Sequence, residues 1–162
     1  MESNNSPKTR KLRRRVSLKN PKFSKNINKG AQFNARNNKT INGWTSTGNA
    51  GLSIIKLGTL NYLQLMNNNM VQQTVTLNQG NYTIFYDAYI SVGTRDKNKD
   101  LTFMVFDMNG ELITTNNQSL TKMNKSYTFD FEIPETGEYN INFGNYTNEV
   151  ILVTNINLSF HL

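Results

Sequence analysis

The side chains able to do chemistry in this chain are few, and most of the positively charged ones sit at one end. Lys8-Thr-Arg-Lys-Leu-Arg-Arg-Arg15 is a dense basic cluster, and Lys19, Lys22, Lys25, Lys29, Arg36 and Lys39 continue it at wider spacing. Lys and Arg at this density neutralise phosphates and release counterions without reading bases, or pair with acidic protein surfaces. The candidate contacts to nucleic acid or an acidic partner are therefore Lys8, Arg10, Lys11, Arg13, Arg14, Arg15, Lys19, Lys22 and Lys25. A nuclear localisation signal is the other use of such a cluster. Within it, Arg14-Arg15-Val16-Ser17 has the form of a basophilic kinase site, where a phosphate would subtract roughly two charges.

Catalytic chemistry has little to work with. His161 is the only histidine, so a Ser-His-Asp triad or a His-based metal site would hang on that residue, and no nucleophile elbow accompanies it. Asp87, Asp107, Asp130 and Glu132 supply carboxylates in number enough for glycoside hydrolysis. Asp87 and Asp130, however, alternate with core-type residues, which puts them on outer strand faces. The chain reads as non-enzymatic and without a cofactor. Asp96-Lys-Asn-Lys-Asp100 sets Asp96, Asn98 and Asp100 at alternating positions, as a calcium loop would. Leu101 then stands where an EF-hand needs Gly, and two lysines crowd the segment, so a charged loop is the competing reading. Two aromatics are candidate sugar contacts: Trp44, the only tryptophan, and Tyr146, which follows Gly144-Asn145 and is expected to be exposed. An aromatic closing the bottom of a β-sandwich is the competing role for Trp44. Asn81 and Asn145 head Asn-x-Thr sequons, in a chain rich enough in Asn to produce them by chance.

The net charge of +7 hides a division. Residues 1–40 hold twelve Lys or Arg and one acid, a net +11, whereas residues 41–162 hold six and ten, a net −4; together these give the +7 of the chain. A basic arm on an acidic body is two pieces. Apolar residues in 1–40 are scarce and keep no period, so this arm is expected to be disordered until it meets a partner. The body, 41–162, is long enough for one domain with a real core. Cysteine is absent, which excludes disulfides and thiolate metal sites. No apolar run approaches the roughly 18 residues of a membrane span, and the polar, basic N-terminus is not that of a signal peptide. Residence in a virion or inside a cell is the expectation.

The elements that must position these residues are strands. Leu52–Leu57 and Leu60–Leu65 flank Gly58-Thr59, and Asn67-Asn68-Asn69 is a turn. Met70–Leu77 and Tyr82–Ser91 flank Asn78-Gln79-Gly80-Asn81, which reads as a hairpin. The second of these strands is apolar on both faces and should be central. Leu101–Asp107 returns through Asn109-Gly110 into Glu111–Thr115. A loop at 116–124 precedes Ser126–Ile133 and Glu138–Gly144, and Val150–Phe160 closes the chain, with a phase change near Thr154 that predicts a bulge. No segment keeps a 3.6-residue period. The expectation is all-β: an antiparallel jelly-roll sandwich carrying an extended basic arm.

Across residues 42–162 the pattern Asn42-Gly-Trp44, Gly48, Tyr62-Leu-Gln-Leu65, Gln72-Gln-Thr-Val75 and Gly80-Asn-Tyr-Thr83, with a closing apolar strand, resembles the galactose-binding-like jelly rolls. These include many carbohydrate-binding modules. The resemblance implies that fold and a habit of binding through loops or a concave sheet face; it transfers no individual ligand residue. The layout as a whole also resembles small jelly-roll proteins of virus particles. On that basis the first functional expectation is a minor capsid or other virion component. Its sandwich would pack on neighbouring subunits, and its arm would anchor to nucleic acid or acidic protein. The alternative is a carbohydrate-binding module that holds glycan by aromatic stacking and amide hydrogen bonds.

Overall fold

The fold is taken from a computed structural model that describes residues 12–19, 33–34, 40–41, 43–47, 52–92 and 100–162. All regular structure among them is β. In chain order the strands are β1 (Arg13–Val16), β2 (Phe33–Asn34), β3 (Thr40–Ile41), β4 (Trp44–Ser46), β5 (Ser53–Leu57), β6 (Leu60–Leu65) and β7 (Asn69–Leu77). There follow β8 (Gly80–Val92), β9 (Asp100–Asp107), β10 (Leu112–Ser119), β11 (Lys125–Ile133), β12 (Gly137–Asn145) and β13 (Val150–His161). Two sheets face each other. One runs β11-β8-β13-β6-β5-β2 with β1 beside β13, and the other runs β10-β9-β12-β7-β4-β3. The pairings are antiparallel, as in a jelly-roll sandwich. Among the described residues no helix is long and apolar enough to cross a membrane.

Strand alternation builds the core. Tyr82, Ile84, Tyr86 and Ala88 of β8 turn inward with Phe131 and Ile133 of β11. Val71, Val75, Phe103, Val105, Ile141 and Phe143 meet them from the second sheet. Phe103 is the hub, its ring 5.4 Å from that of Phe143 and 5.6 Å from that of Phe131. Burial of each such side chain contributes about 1.5–3 kcal/mol.

The hairpin expected over 70–91 is instead an arch. β7 pairs with β12 and β4, while β8 pairs with β11 and β13. Asn78–Asn81 thus carries the chain from one sheet to the other. Tyr82 fastens this corner: its hydroxyl accepts from Asn78 N and donates to Asn78 O, both at 2.9 Å. Two strands that each carry an apolar face toward the core can bury those faces side by side in a sheet or opposite each other across a sandwich, and alternation alone does not separate the cases. The other expectations at turns hold. Asn68 and Gly110 have φ of 54° and 87°, and Asn155, at 51°, sits in the register shift between Thr154 and Asn157. β10 runs on to Ser119, beyond the Thr115 expected, because pairing with β9 overrides the low strand propensity of Asn116-Asn117-Gln118-Ser119.

Residues 12–19 also depart from the sequence expectation of an arm without structure of its own. Arg13, Arg14, Arg15 and Val16 pair in register with His161, Phe160, Ser159 and Leu158, and Leu162 N donates to Leu12 O at 2.9 Å. Beyond β1, Leu18 enters the core, only 9 % exposed. The Lys19 backbone is then clamped. Its N–H donates to Gln73 Oε1 at 2.8 Å, and its carbonyl accepts from Gln73 Nε2 at 2.9 Å and Trp44 Nε1 at 3.0 Å. The edge of β13 satisfies the backbone of this strap, and Val16 and Leu18 find burial that period-counting in 1–40 does not reveal.

Candidate functional site

The outer face of the second sheet collects hydroxyls and amides. Leu101, Phe103 and Val105 point into the core, so their neighbours Thr102 and Met104 point away from it. In register beside them are Asn117 and Thr115 of β10, and Gly144 and Asn142 of β12. Thr102 Oγ1 donates to Asn117 Oδ1 at 2.9 Å, which orients the Asn117 amide and leaves its two N–H donors uncommitted to that bond. Thr74 Oγ1 likewise donates to Asn140 Oδ1 at 2.7 Å. Strands β4, β7, β9, β10 and β12 contain no Lys or Arg.

Tyr146 lies on this face. A Cβ built at Gly144 would come within 2.9 Å of the Tyr146 ring and 3.2 Å of Met104 Cε, so the absence of a side chain there lets the ring lie down against the sheet. The hydroxyl reaches Met70 Sδ at 3.7 Å. Held in this way, the ring is still 52 % exposed. Beside it opens a pocket of about 360 Å³ lined by Asp100, Thr102, Thr115, Asn117 and Tyr146. Among the described residues, Asp100 is the single charged one in that lining. The loop after Tyr146 is fixed from below by buried Asn145, which donates to Leu65 O at 2.9 Å and Glu149 O at 2.7 Å and accepts from Thr147 N at 2.9 Å. An exposed aromatic plane on a braced support, bordered by neutral donors and acceptors, can stack on a sugar ring and hydrogen-bond its hydroxyls.

Trp44, the other sugar candidate, is fully buried, with its indole N–H spent on Lys19 O and its ring 6.3 Å from Phe143. It is a core residue. Asp96 and Asn98 of the calcium candidate lie outside the described residues; Asp100 begins β9. No cluster of three metal-ligating side chains occurs among the described residues.

Of the basic candidates, Lys8, Arg10, Lys11, Lys22 and Lys25 lie outside the described residues. The structure divides the rest. The Arg13 guanidinium sits over the Phe85 ring at 5.7 Å, and Arg15 donates to Asn157 Oδ1 at 2.6 Å, both on the outer face of the first sheet. Arg14 alternates to the other side of β1.

His161 meets Thr83 Oγ1 at 2.7 Å through Nε2, and the Thr83 hydroxyl donates to Asp130. Since that hydroxyl has one proton and gives it to the carboxylate, His161 Nε2 is the donor to Thr83. The imidazole cannot serve there as a base for Thr83, itself only 2 % exposed. Asp87 is equally committed, accepting from Ser126 Oγ and Asn155 Nδ2 at 2.6 Å each.

Of the residues at this pocket the sequence singles out Tyr146 alone as a sugar contact, whereas Thr102, Thr115, Asn117 and Gly144 come together only through register. The available signals were the Gly-x-Tyr spacing and five strands without a cation.

No protein-family model matches the chain, and no curated protein matches it. Solved structures do. A structure described as CBM4 structure and function superposes with a TM-score of 0.61 at 16 % identity, over 90 % of this chain and 100 % of the other. The CBM22-1 xylan-binding domain of Paenibacillus barcinonensis Xyn10C gives 0.60 at 14 % identity, over 76 % and 89 %. TmCBM61, solved with β-1,4-galactotriose, gives 0.58 at 15 % identity, over 90 % and 97 %. The chain therefore shares the jelly-roll β-sandwich fold of these structures. These neighbours lend no support to a capsid role.

Proposed function

We propose that the protein is a carbohydrate-binding module that holds a neutral glycan on the outer face of its second sheet. Tyr146 is the stacking platform, Asn117, Thr102 and Thr115 hydrogen-bond sugar hydroxyls, and Asp100 accepts from a further hydroxyl. The observation that carries this reading is the Tyr146 ring laid over Gly144 at the mouth of a polar pocket. The structural neighbours named for xylan and for β-1,4-galactotriose support the same class of ligand. The absence of Lys and Arg from five strands of this sheet, with Asp100 in the pocket, favours uncharged over anionic chains, because a carboxylate beside a carboxylate is repulsive. The test is affinity electrophoresis of the full chain through gels containing xylan, galactan or glucan, with polygalacturonate as the anionic comparison. Retardation by a neutral polysaccharide and not by polygalacturonate supports the reading; no retardation by any neutral polysaccharide rejects it.

A further inference from the structure

A second cavity lies where β1 approaches β7. On β7, β4 pairs only with Val71 and Gln72, and the rest of β7 meets the strap at Gln73 and across the cleft. The cleft between them measures about 450 Å³, within the range of small-ligand sites. Arg14 stands at its edge. The guanidiniums of Arg13 and Arg15 are engaged on the opposite face by the Phe85 ring and Asn157, although Arg15 still borders the cleft. Arg14 pairs in register with Phe160, whose half-buried ring forms part of the floor above Tyr82. Gly80 makes room for that ring, since a Cβ there would lie 2.8 Å from Phe160 Cε2. Ser17, Thr76 and Asn78 line the cleft together with Arg15, Val16 and Leu162, and among the described residues no Asp or Glu lines it.

The chemistry is opposite in sign to that of the Tyr146 pocket. A guanidinium forms paired hydrogen bonds to a carboxylate, an aromatic floor accepts the face of a ring, and the hydroxyls and amide suit ring hydroxyls. We propose that this cleft is a separate binding site for an anionic sugar. A hexuronate would place its carboxylate on Arg14, its ring against Phe160 and its hydroxyls toward Ser17, Thr76 and Asn78. The site does not depend on the glycan reading of the other face.

Amide chemical-shift titration of the full chain with D-glucuronate tests this, with D-glucose as the uncharged comparison and Arg14→Gln as the variant. Arg14 is exposed, so the variant keeps its fold, which the rest of its spectrum verifies. The expected result is saturable shifts at Ser17, Asn78 and Phe160 with glucuronate, at least about tenfold weaker binding of glucose, and a similar loss in Arg14→Gln. The proposal is overturned by no shifts with glucuronate, by equal binding of glucose, or by equal binding in the variant. Shifts confined to the Lys8–Lys11 cluster also overturn it, because they report ion pairing with the arm alone.

Discussion

Substituting Gln73 by Leu tests whether the strap is part of the fold. Gln73 is 2 % exposed, and its amide both accepts from Lys19 N and donates to Lys19 O, at 2.8 and 2.9 Å. Leucine has nearly the same volume, so no large cavity opens and the loss is confined to two hydrogen bonds. At about 1 kcal/mol each, they sum to about 2 kcal/mol, with Trp44 Nε1 still holding the carbonyl. Local detachment of residues 12–19 then becomes about thirtyfold more frequent, since 1.4 kcal/mol is a factor of ten. Native-state hydrogen exchange reads this directly at the Leu162 amide, whose partner is Leu12 O. A matching loss of protection at Val16 is expected, with the Phe103 amide in the core changing less. Unchanged protection at Leu162 and Val16 would refute the claim that the clamp holds the strap.

Other perturbations have equally definite outcomes. Gly80→Ala forces a side chain onto a backbone at φ +136° with Phe160 at 2.8 Å, and should cost about 1–3 kcal/mol in urea unfolding. Gly144→Ala should displace the Tyr146 ring and weaken neutral-glycan retardation while leaving the thermal midpoint nearly unchanged, because the ring is exposed. Burial pushes the phenols of Tyr86 and Tyr82 above their ordinary 10.0; Tyr127 adds to the effect at Tyr86, while the hydrogen bond to Asn78 partly offsets it at Tyr82. The native state then keeps protons that the unfolded chain releases. Stability is therefore full below about pH 10 and falls as pH rises toward the folded values, which phenolate absorbance followed together with unfolding will register.

Much of the fold is legible in the residues. Alternation in Tyr82–Ile90 and Ser126–Ile133 marks strands, and Asn109-Gly110 and Asn67–Asn69 mark turns whose positive φ the structure realises at Gly110 and Asn68. What alternation does not encode is which sheet a strand joins, and so Asn78–Asn81 reads as a hairpin where the chain crosses between sheets. Local composition likewise hides the strap. Arg13–Val16 carries no strand signal of its own and is ordered by the edge of β13 and by Gln73, fifty-four residues beyond Lys19. The candidate site is only half legible. Tyr146 stands out beside Gly144-Asn145, but Thr102, Thr115 and Asn117 come from strands that become neighbours only through register. Trp44 illustrates the converse, because its two readings from the sequence, a sugar platform or an aromatic closing the sandwich, are separated only by its burial and by its indole N–H spent on the strap.

The proposed function is binding of neutral glycan at the Tyr146 face. Its most direct measurement is retardation of Tyr146→Ala beside the wild-type chain in gels of the neutral polysaccharide that the wild type binds. The expected result is at least a tenfold loss of affinity with an unchanged thermal midpoint, since truncating a stacking aromatic removes a dominant contact without touching the core. Equal retardation of the variant and the wild type would contradict the account.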